Sequence, residues 1–421
     1  MTNLLLQTHA LPPFSKIQPH EIVPAITKLI EENLNEIDRL LKANAPAWET
    51  LIEPLDDLED RLSHAWSAIS HMNAVVNSPE LREAYNACVP LLAEYSAKIG
   101  QNESLYQAYV TIHESKAFKT FDESQKKVIT NAIRDFKLAG VALSTKDKQT
   151  FSELKQTLSK LQSTFSDHVL DATDHWHILL TPDQIKGLPE HAVQGAKERA
   201  EKHGQTGYRF GLDYPSYHAI MTFAEDRKVR ETVYEAYVTR ASDKGPDAKK
   251  FDNTQIMVDI LKTRKALAKL LDFKNYAEYS IATKMAKSTE EVLSFLETLA
   301  EKAKQFAKKD FESLSQYTKK LGAPDLQPWD MAFYSEKLKK EQYEVSQEAL
   351  RPYFPEPVVL KGMFSIVEKL YGIKITEQKG VDTWHKEVHF YEIKDSQKNL
   401  RGQFYLDLFA RPQKRGGAWM D

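Results

Sequence analysis

Histidine beside glutamate is the pairing that a hydrolytic zinc helix needs. In the pattern H-E-x-x-H, two histidines one helical turn apart hold the ion and the glutamate between them activates water. The chain offers two such beginnings. His20-Glu21 requires a histidine at position 24 and meets Pro24, and His113-Glu114 requires one at 117 and meets Ala117. His385, Glu387 and His389 form a further group. On a strand they share a face with the outer histidines about 13 Å apart, too far to hold one ion, whereas on a helix they stand one turn apart. Trp384, Val388 and Phe390 favour the strand. His175 and His177 have the H-x-H spacing that strand zinc sites use, without an identifiable third ligand. There is no G-x-S-x-G, P-loop or G-x-G-x-x-G. No residue is therefore assigned as catalytic or as a metal ligand.

A basic cluster stands near the end. Arg411, Lys414 and Arg415 lie beside Gly416 and Gly417, directly after an alternating run. As a bare charge cluster this is a solvated turn. Glycines that permit close backbone approach, next to an edge strand able to pair with an extended peptide, make these five residues the candidates for substrate binding. The stretch from Gly402 to Asp421 is expected to be the approach to an active site whose chemical part lies outside the 421 residues. Tyr208, Tyr214 and Tyr217 around Pro215 are expected to pack, and Trp329 after Pro328 to anchor a helix start.

The elements that must position these residues are mostly helical by period. Pro24 is expected to open a helix carrying Ile26, Leu29, Ile30, Ile37, Leu40 and Leu41 on one face. Leu55, Leu58, Leu62, Trp66, Ile69, Met72 and Val76 make a second stripe, and Leu81, Tyr85, Val89, Leu92, Tyr95 and Ile99 a third. Phe151, Leu154, Leu158, Leu161 and Phe165 mark a long helix. Ser288 with Glu291 predicts a capping box for a helix from Ser288 to Leu321, stopped by Gly322, with Val292, Phe295, Leu296, Leu299, Ala303, Phe306 and Leu314 on one side. Strands are expected at 176–180, 207–213, 384–393 and 401–410, the last two paired around Asp395–Asn399. The fold class expected is mainly α with a small β part. Three regions are expected, 1–180, 181–325 and 326–421, the last carrying the strand pair.

The length of 421 residues implies more than one core. A net charge of -3 provides no general field for nucleic acid or a membrane surface. One cysteine, Cys88, cannot form an internal disulfide, and no apolar run approaches spanning length. A cytoplasmic protein is expected, with no nucleic-acid or membrane partner.

The stretch Phe404-Tyr405-Leu406-Asp407-Leu408-Phe409-Ala410-Arg411, followed by Lys414 to Asp421, resembles the segment before the zinc helix in the thimet-oligopeptidase (neurolysin-like) family of zinc metallopeptidases. The likeness runs in order through Leu11–Ile17, Gly187-Leu188-Pro189-Glu190, Leu212–Tyr217, Tyr237–Ser242, Lys284-Met285-Ala286, Pro328-Trp329-Asp330 and Arg351–Pro355. It implies a two-lobed helical scaffold with a deep channel, a zinc cofactor in the complete enzyme, and hydrolysis of short unstructured peptides. The residues that would hold zinc, supply the base and polarise the carbonyl have no counterparts before Asp421. By this expectation the chain is the amino-terminal portion, holds no zinc by itself, is inactive alone and has the missing carboxyl-terminal catalytic portion as a partner. The alternatives are a non-catalytic helical binding protein on the same scaffold, or half of a split enzyme.

Overall fold

The computed structural model describes residues 3–43, 45–323 and 325–420, and the side chain of Ala43 is outside that description. Helix accounts for 66% of the described residues and the sheets are small and antiparallel, so the fold is mainly α. The chain divides into two compact units, each made of two stretches: residues 1–167 with 254–293, and residues 168–253 with 294–420.

Among the described residues, the regular elements of the first unit are all helices. Its first long helix, Pro19–Ala43, packs against Pro79–Gly100 and Glu53–Val75. The helix begins at Pro19, not at Pro24 as the sequence suggested. The apolar period already runs through Ile22, which is fully buried, so burial carries the helix past one missing N–H at Pro24. Asn33 lies buried in this helix, and its Nδ2 donates to Leu58 O (3.1 Å) and to Tyr95 Oη (3.2 Å). The Tyr95 hydroxyl in turn donates to Glu59 (2.5 Å), so one buried amide ties all three helices. Trp66 stacks on Tyr85 with ring centroids 4.9 Å apart.

Glu103–Glu114 and Glu123–Leu138 close a core of Ile37, Leu55, Leu105, Ile112, Ile129 and Phe136. Each such aliphatic side chain contributes roughly 1.5–3 kcal/mol. Asp122 caps the second of these helices in a complete box, accepting from Gln125 N (2.8 Å) while Gln125 accepts from Asp122 N (3.1 Å). A further cluster joins Phe151 and Leu158 of the long Thr145–His175 helix to Leu267 of Thr254–Leu270.

In the second unit, strands β1 (His177–Leu180) and β2 (Tyr208–Gly211) form an antiparallel pair, slightly shorter than expected. Leu180 and Phe210 bury against Ile220 of Tyr214–Phe223 and Val229 and Val233 of Arg227–Val238. Tyr217 does pack, stacking on Tyr237 at 3.7 Å. Trp329 also packs on this core, and Pro328–Asp330 forms the short turn that leads into helix Met331–Tyr343.

Helix Thr289–Lys320 starts where expected, with Glu291 N donating to Ser288 Oγ (3.1 Å). The reciprocal bond differs from the expected box, because the Glu291 carboxylate accepts from Lys287 N (2.7 Å). Its apolar side is open rather than packed: Phe295, Leu296, Leu299 and Phe306 are all exposed, and burial resumes only at Leu314 and Tyr317.

Candidate functional site

The second sheet has the order β3–β4–β5, all antiparallel, with β3 at Ile373–Gln378, β4 at His389–Asp395 and β5 at Leu400–Leu406. The hairpin around Asp395–Asn399 is as expected. Asp395 Oδ1 accepts from Gln397 N and Asn399 N, both at 2.9 Å, which explains why a carboxylate opens the turn. Strand β3 was missed, although Ile373, Ile375 and the polar residues between them alternate. Glu368 of helix Glu356–Tyr371 docks it, accepting from Ile375 N (2.8 Å).

The strand expected to begin at Trp384 begins at His389. Residues 384–388 form a turn, because His385 accepts from Glu387 N (3.3 Å) and its carbonyl accepts from Val388 N (3.1 Å). His385, Glu387 and His389 therefore do not line one strand face. His389 Nδ1 lies instead 2.7 Å from Glu377 of β3. His175 Nε2 lies 2.8 Å from Lys250 Nζ, and His177 Nδ1 faces the carbonyl of His175. Among the described residues no group of three or more His, Cys, Asp or Glu converges as metal ligands do, so those residues do not fit a zinc site.

Alternation gives the sheet two aromatic faces. On one, Tyr391 stacks on Phe404 (5.2 Å) with Phe364 edge-on to both. On the other, Tyr405 lies between Trp384 (5.1 Å) and Phe390 (4.8 Å). Burial, with the charge of Asp382 nearby, pushes the Tyr405 phenol up to about 12.

Strand β5 ends at Leu406, four residues earlier than expected, because Asp407 draws the following turn onto itself. The Asp407 carboxylate accepts two bonds from Arg411 (2.8 Å each) and one from Trp384 Nε1 (2.9 Å), and lies 2.9 Å from Lys414 Nζ. Lys414 Nζ also donates to the carbonyls of Asp407 (3.0 Å) and Phe409 (2.8 Å). Just before it, Gln413 adopts φ +62° and its N–H donates to Asp174 (2.8 Å). Burial by itself raises the Asp407 carboxyl, but the bonds from Arg411, then Lys414 and Trp384, outweigh it and hold the group far below the usual carboxylate range.

Of the five candidate residues, Arg411 and Lys414 come together on Asp407, with only 11% and 10% of their side chains exposed. Arg415 follows half-buried, while Gly416 and Gly417 are exposed, with no neighbouring atom within 4 Å of where a Cβ would stand. Asp407 itself was not singled out from sequence. A carboxylate four residues before one cation and seven before another was the available signal.

Two family models match: neurolysin/thimet oligopeptidase, N-terminal domain, over residues 26–148, and peptidase family M3 over residues 220–421. Oligopeptidase A of Haemophilus influenzae is 49% identical over 423 residues, covering 100% of this chain and 62% of that protein. Oligopeptidase A of Escherichia coli is 47% identical with the same coverage. The organellar oligopeptidase A of Arabidopsis thaliana is 37% identical, covering 100% of this chain and 54% of that protein. The chain thus spans less than two thirds of the length of these relatives. The two models, matched in the order expected from the sequence, and the helical fold agree: the chain belongs to peptidase family M3, with a neurolysin/thimet-oligopeptidase N-terminal domain.

Proposed function

We propose that the chain works as the amino-terminal part of a zinc-dependent oligopeptidase that cleaves short, unstructured peptides in the cytoplasm. The observation that carries this reading is the match to oligopeptidase A along the whole chain at 49% identity, over 62% of that relative's length. Peptide hydrolysis then belongs to residues 1–421 acting with a further segment that supplies the zinc ligands. The 421 residues are inactive alone and hold no zinc stoichiometrically.

Two features of the second unit support this division. One is the β5 edge, which bears no further strand among the described residues and is suited to pairing with an extended peptide. The other is the exposed apolar surface of two helices. Besides the open side of Thr289–Lys320, helix Glu356–Tyr371 has no buried residue, and Val359, Met363, Ile366 and Leu370 line up in the open. Apolar faces of this extent are surfaces for another protein segment, and the missing catalytic portion is the occupant this reading assigns. No helix among the described residues is long and apolar enough to cross a membrane.

The test is zinc content after dialysis together with cleavage of a quenched fluorescent peptide, on the 421-residue chain and on the product of the reading frame extended past codon 421. The reading expects substoichiometric zinc and no cleavage for the shorter chain, and chelator-sensitive cleavage for the longer one. Tightly held zinc and chelator-sensitive cleavage by the 421 residues alone would refute it. A reading frame that ends at Asp421, with no second product restoring cleavage, would turn the assignment towards a non-catalytic binding protein.

A further inference from the structure

The sequence left two readings open for the basic cluster: a solvated turn, or a site that binds substrate. Charge geometry separates them. Arg411 and Lys414 both spend their charge on Asp407, which is itself only 9% exposed. The remaining donors of Lys414 go to the Asp407 and Phe409 carbonyls. A fork of two 2.8 Å bonds fixes both the angle and the distance of the Arg411 side chain.

The same carboxylate is the acceptor for the indole N–H of Trp384, a residue of the turn before β4 that packs on Tyr405 of β5. One side chain therefore joins the start of β4, the end of β5 and the segment 408–414. Gln413 fastens the far side of that segment to Asp174 at the end of the Thr145–His175 helix.

We propose that Asp407 is a positioning residue for peptide binding: through Arg411, Lys414 and Trp384 it holds residues 407–414 as a fixed strap at the end of β5, so that the free edge of that strand keeps the geometry an extended peptide needs. This rests on the reading of β5 as a peptide edge given above. It carries a statement about specificity. With the Arg411 fork and the Lys414 donors already committed to Asp407 and to backbone carbonyls, and both side chains about nine-tenths buried, neither cation is placed to recognise a substrate carboxylate, so the substrate class is held by main-chain pairing and is indifferent to a free carboxyl terminus.

Two measurements on the 421-residue chain decide it. The first is amide hydrogen exchange of residues 400–415 in the wild type, D407N, D407E and W384F. The second is anisotropy of a fluorescein-labelled random-sequence octapeptide pool, with free-acid and with amidated carboxyl termini. In D407N, exchange of 407–414 should rise by about tenfold or more while helix Tyr214–Phe223 keeps its protection, and affinity for the amidated pool should fall by roughly tenfold. The arginine and lysine released from Asp407 should then favour the free-acid pool over the amidated one, a change that loosened packing alone does not produce. D407E should restore most of the affinity and W384F should fall between.

Unchanged exchange at 407–414 in D407N overturns the proposal. So does raised exchange with unchanged peptide affinity. A preference of the wild type for the free-acid pool that persists in R415Q overturns the statement on specificity. Absence of peptide binding by the wild type removes the reading of β5 as a peptide edge and with it the proposed role, while the exchange result still decides whether Asp407 orders the strap.

Discussion

Arg230 and Asp330 lie one hundred residues apart in the chain and 2.8 Å apart in space, each only 1% exposed. Arg227 adds a second arginine to the same carboxylate (2.7 Å), and Gln327 N donates to it as well (3.1 Å). Arg230 further donates to the carbonyls of Ala224 (2.7 Å) and Trp329 (3.1 Å). A buried pair with this many satisfied bonds locks the Pro328–Asp330 turn onto helix Arg227–Val238.

Removing one partner leaves the other charge buried and uncompensated. D330A is therefore expected to destabilise the chain by about 3–5 kcal/mol. Urea denaturation followed by tryptophan fluorescence reads this directly. R227A should cost clearly less, because Arg227 is partly exposed and Arg230 would still neutralise the carboxylate. Equal losses in the two variants would show that Arg230 does not hold the central position.

Acid should act through the same chemistry. For both Asp330 and Asp407, burial alone raises the carboxyl and hydrogen bonds from cationic partners outweigh it, leaving each below its ordinary value. A carboxylate lowered on folding contributes stability that is present above the unfolded value of about 3.9 and is lost as pH falls towards the folded one. The urea midpoint should thus be flat with respect to these groups from pH 7 to 5 and decline below about pH 4. D407N should make the acid decline shallower. A steeper decline in the variant would contradict the sign argued here.

Gly187 adopts φ +86°, and a Cβ there would stand 2.3 Å from the Phe223 carbonyl. Flanking it, Glu225 N donates to Lys186 O (3.0 Å), so the two backbones cannot separate easily. G187A is expected to cost roughly 1–3 kcal/mol through left-handed strain plus the clash. Melting of the purified variant measures it, and an unchanged midpoint would mean the loop relaxes freely.

Phe306 is 69% exposed and Ile366 64% exposed, each on an apolar helix face. The isolated 421-residue chain is expected to self-associate through these faces. F306S with I366S should raise the monomer fraction in sedimentation at micromolar concentration and lower the binding of a hydrophobic dye. A wild-type chain that stays monomeric and binds no dye would count against exposed interaction faces.

What the sequence determined by itself is the helical class, because the period of three to four along Leu55–Val76, Leu81–Ile99 and Phe151–Phe165 is a local property. It also determined the Asp395–Asn399 turn, whose carboxylate caps its own backbone, and the family, through ordered short motifs from residue 11 to residue 421. Only the tertiary structure decided where Arg411 and Lys414 spend their charge. Their anchor is a carboxylate that also takes the indole of Trp384, twenty-three residues away, and no local pattern counts donors on one acceptor. The same holds for the start of β4, which the turn at His385 postpones, and for the start of the first helix, where burial of Ile22 outweighs an interior proline. The exposed side of Thr289–Lys320 makes the complementary point: periodicity identifies an apolar face, but only packing decides whether these residues bury it.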